Sequence, residues 1–165
     1  MGINRSLFTS QSGCWETPKW LFDELDQEFH FTLDPASTPS NAKCRKHFTE
    51  AEDGLSRTWE GESVFCNPPY GRGIAEWAEK CLAESGHARV VLLAPARTDT
   101  EWFHRFVLGH AELRFVQGRL YFGIGGKEAG RAPFPSLVAV YPCGGGQDAG
   151  LTPWPPKAYT AVGRR

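Results

Sequence analysis

No stretch of this chain stays apolar for long. The longest run, Val90-Val91-Leu92-Leu93-Ala94, is far short of the roughly 20 residues that cross a bilayer as a helix, so no membrane partner is expected. The opening residues, MGINRSLFTSQSG, contain no apolar signal core. Met1 to Ser6 fits the acylation pattern MGxxxS, which is short enough to arise by chance. There is no excess of one charge either: 18 Lys and Arg face 19 Asp and Glu, for a formal net charge of −1. That excludes a strongly basic coat for nucleic acid but leaves room for a local basic stripe. Cysteine is scarce and unpatterned. The five, at 14, 44, 66, 81 and 143, include no C-x-x-C, which reads as a reduced, cytoplasmic protein rather than a disulfide scaffold. Cys44 and His47 have C-x-x-H spacing without a second pair at a suitable distance, so no metal is expected. No internal repeat is visible.

What is present fits a globular domain. The 165 residues suit one domain with a proper core, and 41% hydrophobic with 22% charged residues is ordinary soluble composition. Six Trp and eleven Phe are many, and some are expected to line a cleft. Residues 1–14 read as a flexible N-terminal segment, 15–142 as a single domain, and 143–165 as a Gly/Pro-rich tail, extended or disordered.

Within the domain, "TPKWLFDELDQEF" predicts an amphipathic helix, with Thr17 as N-cap and Pro18 at the first helical position. "FTLDPA" is a short strand, "TPSNAKCRKHF" a short helix or turn ending in a possible strand, "DGLSRTW" a loop, and "SVFC" a strand. "GIAEWAEKCLAES" and "TEWFHRFVLG" are helices, and "ARVVLLAP" is a strand buried on both faces. "AELRFVQG", "RLYFG" and "FPSLVAVYP" are further strands, with the Gly-rich "GIGGKEAGRAPF" as a flexible loop before the last. Alternating strands and helices followed by clustered strands predict an α/β fold, a mostly parallel sheet with an antiparallel edge.

In such a sheet, ligands bind beyond the carboxyl ends of the strands. Three predicted strands end in proline: Leu33-Asp34-Pro35, Cys66-Asn67-Pro68 and Leu93-Ala94-Pro95. Asp34-Pro35 alone satisfies an ordinary turn. Asn67-Pro68-Pro69-Tyr70 over-determines one. Two prolines lack N–H groups and have fixed φ, so they hold what surrounds them still. An exocyclic amino group on a base is a poor nucleophile, because its lone pair is delocalised into the ring. A site that accepts both amino hydrogens, with the Asn67 side-chain oxygen and the Pro68 carbonyl, aims that lone pair at an electrophile. Tyr70 offers a stacking face for an extruded planar base.

Together, Trp15-Glu16-Thr17-Pro18, Leu33-Asp34-Pro35-Ala36, Asn41-Ala42, Asp53-Gly54-Leu55, Trp59, Cys66-Asn67-Pro68-Pro69-Tyr70, Leu93-Ala94-Pro95-Ala96-Arg97-Thr98-Asp99-Thr100 and Gly118-Arg119-Leu120 resemble the small phage-type DNA N6-adenine methyltransferases. The resemblance runs from about residue 14 to residue 142. It implies a Rossmann-like methyltransferase fold and S-adenosylmethionine as cofactor. It implies methyl transfer to adenine N6 in DNA, in a bacterial host cytoplasm if the origin is phage or prophage. Asn67, Pro68, Pro69 and Tyr70 match the catalytic motif. Trp15, Thr17, Pro18, Asp34, Pro35, Ala36 and Asp53 match cofactor positions. The chain departs from many methyltransferases in having Ser37-Thr38-Pro39-Ser40-Asn41 where a Gly-x-Gly loop would follow Asp-Pro-Ala. Glu50 and Glu52 are both candidates for the cofactor ribose.

Arg97, Arg119, Lys127 and Arg131 are candidate DNA contacts, each also readable as surface, hairpin or loop. The Gly-rich loop is not a phosphate-binding loop, since GKE lacks GK[ST]. A monomer or weak dimer is expected. Two readings stay open beside adenine methylation: an amino-group methyltransferase for protein glutamine or RNA, and a non-catalytic nucleic-acid-binding accessory protein.

Overall fold

The apolar run at 90–94 becomes the middle of the sheet. The structure is a computed structural model that describes residues 15–124, 127–145 and 150–154. Its elements in chain order are α1 (Lys19–Phe29), β1 (Leu33–Asp34), β2 (Lys46–His47), β3 (Ser63–Cys66), α2 (Ile74–Glu84), β4 (Arg89–Pro95), α3 (Glu101–Phe106), β5 (Glu112–Val116), β6 (Tyr121–Ile124), β7 (Lys127–Arg131), β8 (Ser136–Tyr141) and β9 (Leu151–Trp154). Seven strands form one sheet in the order β2-β1-β3-β4-β8-β5-β9, and β6 with β7 forms a separate hairpin. The pairs β1–β2, β1–β3, β3–β4 and β5–β9 are parallel. The antiparallel part lies among the late strands, as expected. It is one strand, β8, wedged between β4 and β5. This is the mostly parallel α/β architecture of a Rossmann-like methyltransferase fold.

Period-two alternation divides the core between the two faces. Leu33, Val64, Cys66, Val90, Leu92, Ala94, Leu137 and Ala139 pack with Ile74, Ala78 and Cys81 of α2 and Trp102 and Phe103 of α3. Their neighbours Phe65, Val91, Leu93, Val138 and Val140 pack with Leu21, Leu25 and Phe29 of α1, and with Leu120, Phe122 and Ala132 around the hairpin. The sheet therefore carries helices on both faces, which is why β4 is buried throughout except at Arg89.

Three local expectations need correction. Thr17 is not the N-cap of α1. Pro18 occupies that position, with φ −54° and ψ 136° and no side-chain cap, and its carbonyl accepts from the Leu21 and Phe22 N–H groups. The Gly-rich loop at 123–134 is largely strand: β7 pairs antiparallel with β6 across a bulge between Phe122 and Gly123. A glycine at φ 96°, Gly130, eases the local geometry there. Finally, Leu151–Trp154, inside the segment read as tail, adds β9 beside β5. Pro153 is tolerated because β9 is the edge strand. Residues 1–14 and the acylation pattern lie outside the described residues.

Candidate active site

The chain leaves β1 outward to β2, then returns to the other side of β1 as β3. This switch leaves a crevice beyond the carboxyl ends of those strands. A cavity of about 900 Å³ lies there, with walls drawn from the segments after β1, β2 and β3. It is of the size that takes a cofactor-sized molecule. Trp15, Thr17, Asp34, Pro35, Ala36, Asp53, Asn67 and Pro69 all line it. Pro18 does not, since its carbonyl is used as the α1 cap. Pro68 is buried.

Asn67 follows β3 two residues after Phe65, on the face of the sheet that α1 covers. The segment entering α1 reaches it there. Asn67 Nδ2 donates to the Trp15 carbonyl at 2.8 Å and to Thr17 Oγ1 at 3.0 Å. A carbonyl can only accept, which fixes the amide with its nitrogen toward Trp15. Asn67 Oδ1 is buried and has no hydrogen-bond donor among the described residues. None of them donates to the Pro68 carbonyl either. Two acceptors in succession thus stand unused at the end of a rigid strand, whereas buried acceptors are nearly always paired.

One wall of the first cavity is built by Asp34. Its carboxylate is buried and accepts from the Ala36 N–H at 3.3 Å and the Lys43 N–H at 3.0 Å. It thereby shapes the loop that stands where a Gly-x-Gly turn was missing. Burial raises its pKa above the ordinary carboxyl value, against the opposing pull of those two N–H groups. Burial likewise lowers the Lys43 ammonium. Facing this loop, Asp53 sits at φ 52° and Gly54 is pressed on the Pro35 carbonyl: a Cβ at Gly54 would lie 2.0 Å from that oxygen. Trp59 Nε1 donates to the Gly54 carbonyl at 3.0 Å, securing the turn from beneath. Of the two ribose candidates, Glu50 lines the cavity. Glu52 instead accepts from the Thr49 N–H at 2.8 Å and the Thr49 hydroxyl at 2.9 Å.

Tyr70 lines a second cavity, of about 500 Å³, together with Trp15, Arg72, Arg97, Trp102 and Phe134. Trp15 is common to both cavities. The Tyr70 ring meets Phe134 edge-on at 5.4 Å and Phe122 at 6.0 Å. Its hydroxyl is 3.5 Å from the Leu93 carbonyl, and burial drives its pKa well above that of the usual phenol. Arg119 and Arg131 lie elsewhere, together in a third cavity. Lys127 begins β7.

Sequence reasoning overlooked Arg72, Trp102 and Phe134. Arg72 and Trp102 follow strands whose ends were singled out, so proximity to those ends was the available signal; Phe134 precedes β8 and had no such signal. Trp77 of α2 lines the first cavity and stacks on Trp59 at 6.4 Å. Among the described residues no group of three or more His, Cys, Asp or Glu side chains gathers to hold a metal ion, and no helix is long and apolar enough to cross a membrane.

The model of the family described as DNA N-6-adenine-methyltransferase (Dam) matches residues 6–136. A DNA N-6-adenine-methyltransferase of Escherichia phage T1 is 28% identical over 121 residues, covering 72% of this chain and 50% of that protein. One from Haemophilus phage HP1 (strain HP1c1) is 27% identical over 111 residues, covering 65% of this chain and 64% of that protein. The chain thus matches between half and just under two thirds of the length of these curated relatives.

Proposed function

Because this chain belongs to the DNA N-6-adenine-methyltransferase (Dam) family, we propose that it transfers a methyl group from S-adenosylmethionine to the N6 amino group of adenine in DNA. The observation that carries this reading is the Asn67 amide: its nitrogen is bound by Trp15 and Thr17, and its oxygen is buried without a donor.

The first cavity fits the cofactor. Apolar Pro35, Ala36, Leu55 and Trp77 stand among acidic Asp34, Glu50 and Asp53, a lining suited to an aromatic base, hydroxyls and positive charge. Asp34, Ala36, Thr17 and Trp15 would hold the cofactor, with Asp53 and Glu50 on the wall built by residues 49–55. Both Asp34 oxygens retain a free lone pair beyond the N–H bonds they accept. Bound there, S-adenosylmethionine supplies an electrophilic methyl group.

The chain's own contribution is positioning and charge stabilisation. The second cavity, lined by Tyr70, Trp15 and Phe134, receives an adenine turned out of the duplex and offers it ring surfaces. Asn67 Oδ1 and the Pro68 carbonyl accept the two amino hydrogens. This concentrates electron density on N6 as the new N–C bond forms and positive charge develops there. One proton must then leave N6, and the two acceptors lower its cost of departure. Arg72 and Arg97, exposed at the same cavity, suit the phosphates beside the extruded base.

The test is incubation with methyl-labelled S-adenosylmethionine and, in parallel, adenine-containing DNA, RNA and protein. Nucleoside analysis of the product follows. N6-methyladenine in DNA is expected. Label confined to RNA or to protein glutamine would replace the adenine-DNA reading, and no label anywhere would leave a binding protein.

A further inference from the structure

The hairpin has two sides, and only one belongs to the site above. In β6, Phe122 is buried against Trp15, Tyr70 and Phe134. Its neighbour Tyr121 points the other way and is 40% exposed. On that outer side a cavity of about 310 Å³ is lined by Tyr121, Arg119, Arg131, Gln117 and Trp20. Tyr121 and Arg131 are register partners across the hairpin. Arg119 comes from the turn before β6, where Gly118 has φ 81°. Arg119 Nη1 is buried without an acceptor among the described residues, and Arg131 forms no ion pair among them.

A buried guanidinium nitrogen with no acceptor leaves an N–H donor unsatisfied. A second guanidinium beside it would repel the first unless an anion lies between them. The ring of Tyr121 next to this pair adds a flat stacking surface. Two cations that take a doubly acceptor-faced anion, with an aromatic alongside, match the phosphate and base of one nucleotide. The position selects which nucleotide. Tyr121 and Phe122 are consecutive in β6 and face opposite sides of the hairpin, so a strand leaving the Tyr70 cavity would reach this cleft by passing over the hairpin.

We infer that the Arg119–Arg131–Tyr121 cleft on the outer side of the hairpin binds a nucleotide flanking the target adenine in the same DNA strand. The two arginines hold its phosphate and Tyr121 carries its base. The inference rests on the DNA reading above, but it is tested by binding rather than by transfer.

The experiment measures affinity for a fluorescent duplex by anisotropy, over a salt series. Each phosphate around one adenine is replaced in turn by a neutral methylphosphonate. Exposed Arg131 and Tyr121 carry the test, because Arg119 is part-buried and its loss can disturb folding. For the parent, one neutral replacement should weaken binding on the order of tenfold. Arg131→Ala should weaken it comparably, reduce the salt slope by about one, and be blind to that same replacement. Tyr121→Ala should weaken binding and Tyr121→Phe should not, since the stacking face remains. Parental affinity and parental phosphate sensitivity in both Arg131→Ala and Tyr121→Ala would overturn the assignment, as would failure of the parent to bind DNA. A parent that uses this phosphate yet methylates nothing would keep the cleft and sink the transfer reading. Full transfer with unaltered variants would do the reverse.

Discussion

At the residue scale, the Asn67 amide divides its capacity between fold and chemistry. Its nitrogen is committed to Trp15 and Thr17, so its oxygen cannot turn away. Two consequences are testable by single-turnover methylation. Thr17→Val keeps the shape but removes one of the two acceptors that orient the amide; the rate at saturating cofactor should fall about tenfold, equivalent to ~1.4 kcal/mol, with any loss of cofactor affinity read separately by titration. Asn67→Asp should be nearly as damaging as loss of the side chain, because a carboxylate cannot donate to the Trp15 carbonyl. An Asn67→Asp enzyme as fast as the parent would show that the Trp15 contact does not matter. Tyr70→Phe should be almost silent, because the hydroxyl sits at 3.5 Å from its acceptor, at the limit of a hydrogen bond. Tyr70→Ala should weaken capture of the base by about 1–3 kcal/mol. The sequence makes Asn67 and Tyr70 conspicuous, because a Pro-Pro stop is rare and rigid. It could not reveal that Thr17 serves Asn67 rather than α1. Ser, Thr, Asp and Asn before Pro all look like caps, and the true partner lies 50 positions away.

At the element scale, the cavity proposed for the cofactor is held open by contacts between loops rather than by long strands; β1 and β2 have two residues each. Gly54 is the tightest of these contacts. Gly54→Ala places a methyl against the Pro35 carbonyl, and the two loops must part. Thermal unfolding should show a loss of about 1–3 kcal/mol, together with weaker cofactor binding. A variant with parental stability would mean that the loops yield freely. Elsewhere, α1 is tied to β5 by Arg114, which donates to both Glu28 oxygens at 2.6 and 2.7 Å and lies over the Phe29 ring at 5.2 Å. These bonds hold the Glu28 carboxyl below its ordinary value of 4.5. A depressed folded-state value contributes stability above the unfolded value and loses it as pH falls below it. Melting temperature should therefore decline more steeply below about pH 4.5 in the parent than in Glu28→Gln; equal slopes would assign the acid sensitivity elsewhere. The helices and the β3, β4 and β8 strands were legible because their apolar periods are long. Strand β6 was legible in "RLYFG", but β7 was not, because Gly125, Gly126 and Gly130 read as loop while the pairing of β7 with β6 is set by backbone register.

At the scale of the whole molecule, two cavities share Trp15 and a third lies behind the hairpin. The proposed disposition, cofactor beside β1 and base beside the β3 end, rests on the switch in strand order, which alternating strands and helices already suggested. The separation of Tyr70 from Asn67 into different cavities did not follow, because Pro68 and Pro69 lie between them beyond the end of β3, where no strand period tells which way a side chain faces. A chain of net charge −1 has few cations to offer DNA. Arg72, Arg97, Arg119 and Arg131 are the four that line the two cavities proposed to meet DNA. The logarithm of affinity should fall against the logarithm of salt with a slope of about −3 to −4. A slope of −8 or steeper would require a basic surface that this account does not contain. The central claim is that the unpaired oxygen of Asn67 receives the amino group to be methylated. Its most direct test pairs a calorimetric titration of S-adenosylmethionine with single-turnover methylation of an adenine-containing duplex by the parent and by Asn67→Ala. The account predicts nearly unchanged cofactor affinity and a transfer rate lower by about a hundred- to a thousandfold. Methylation by Asn67→Ala at the parental rate would contradict it.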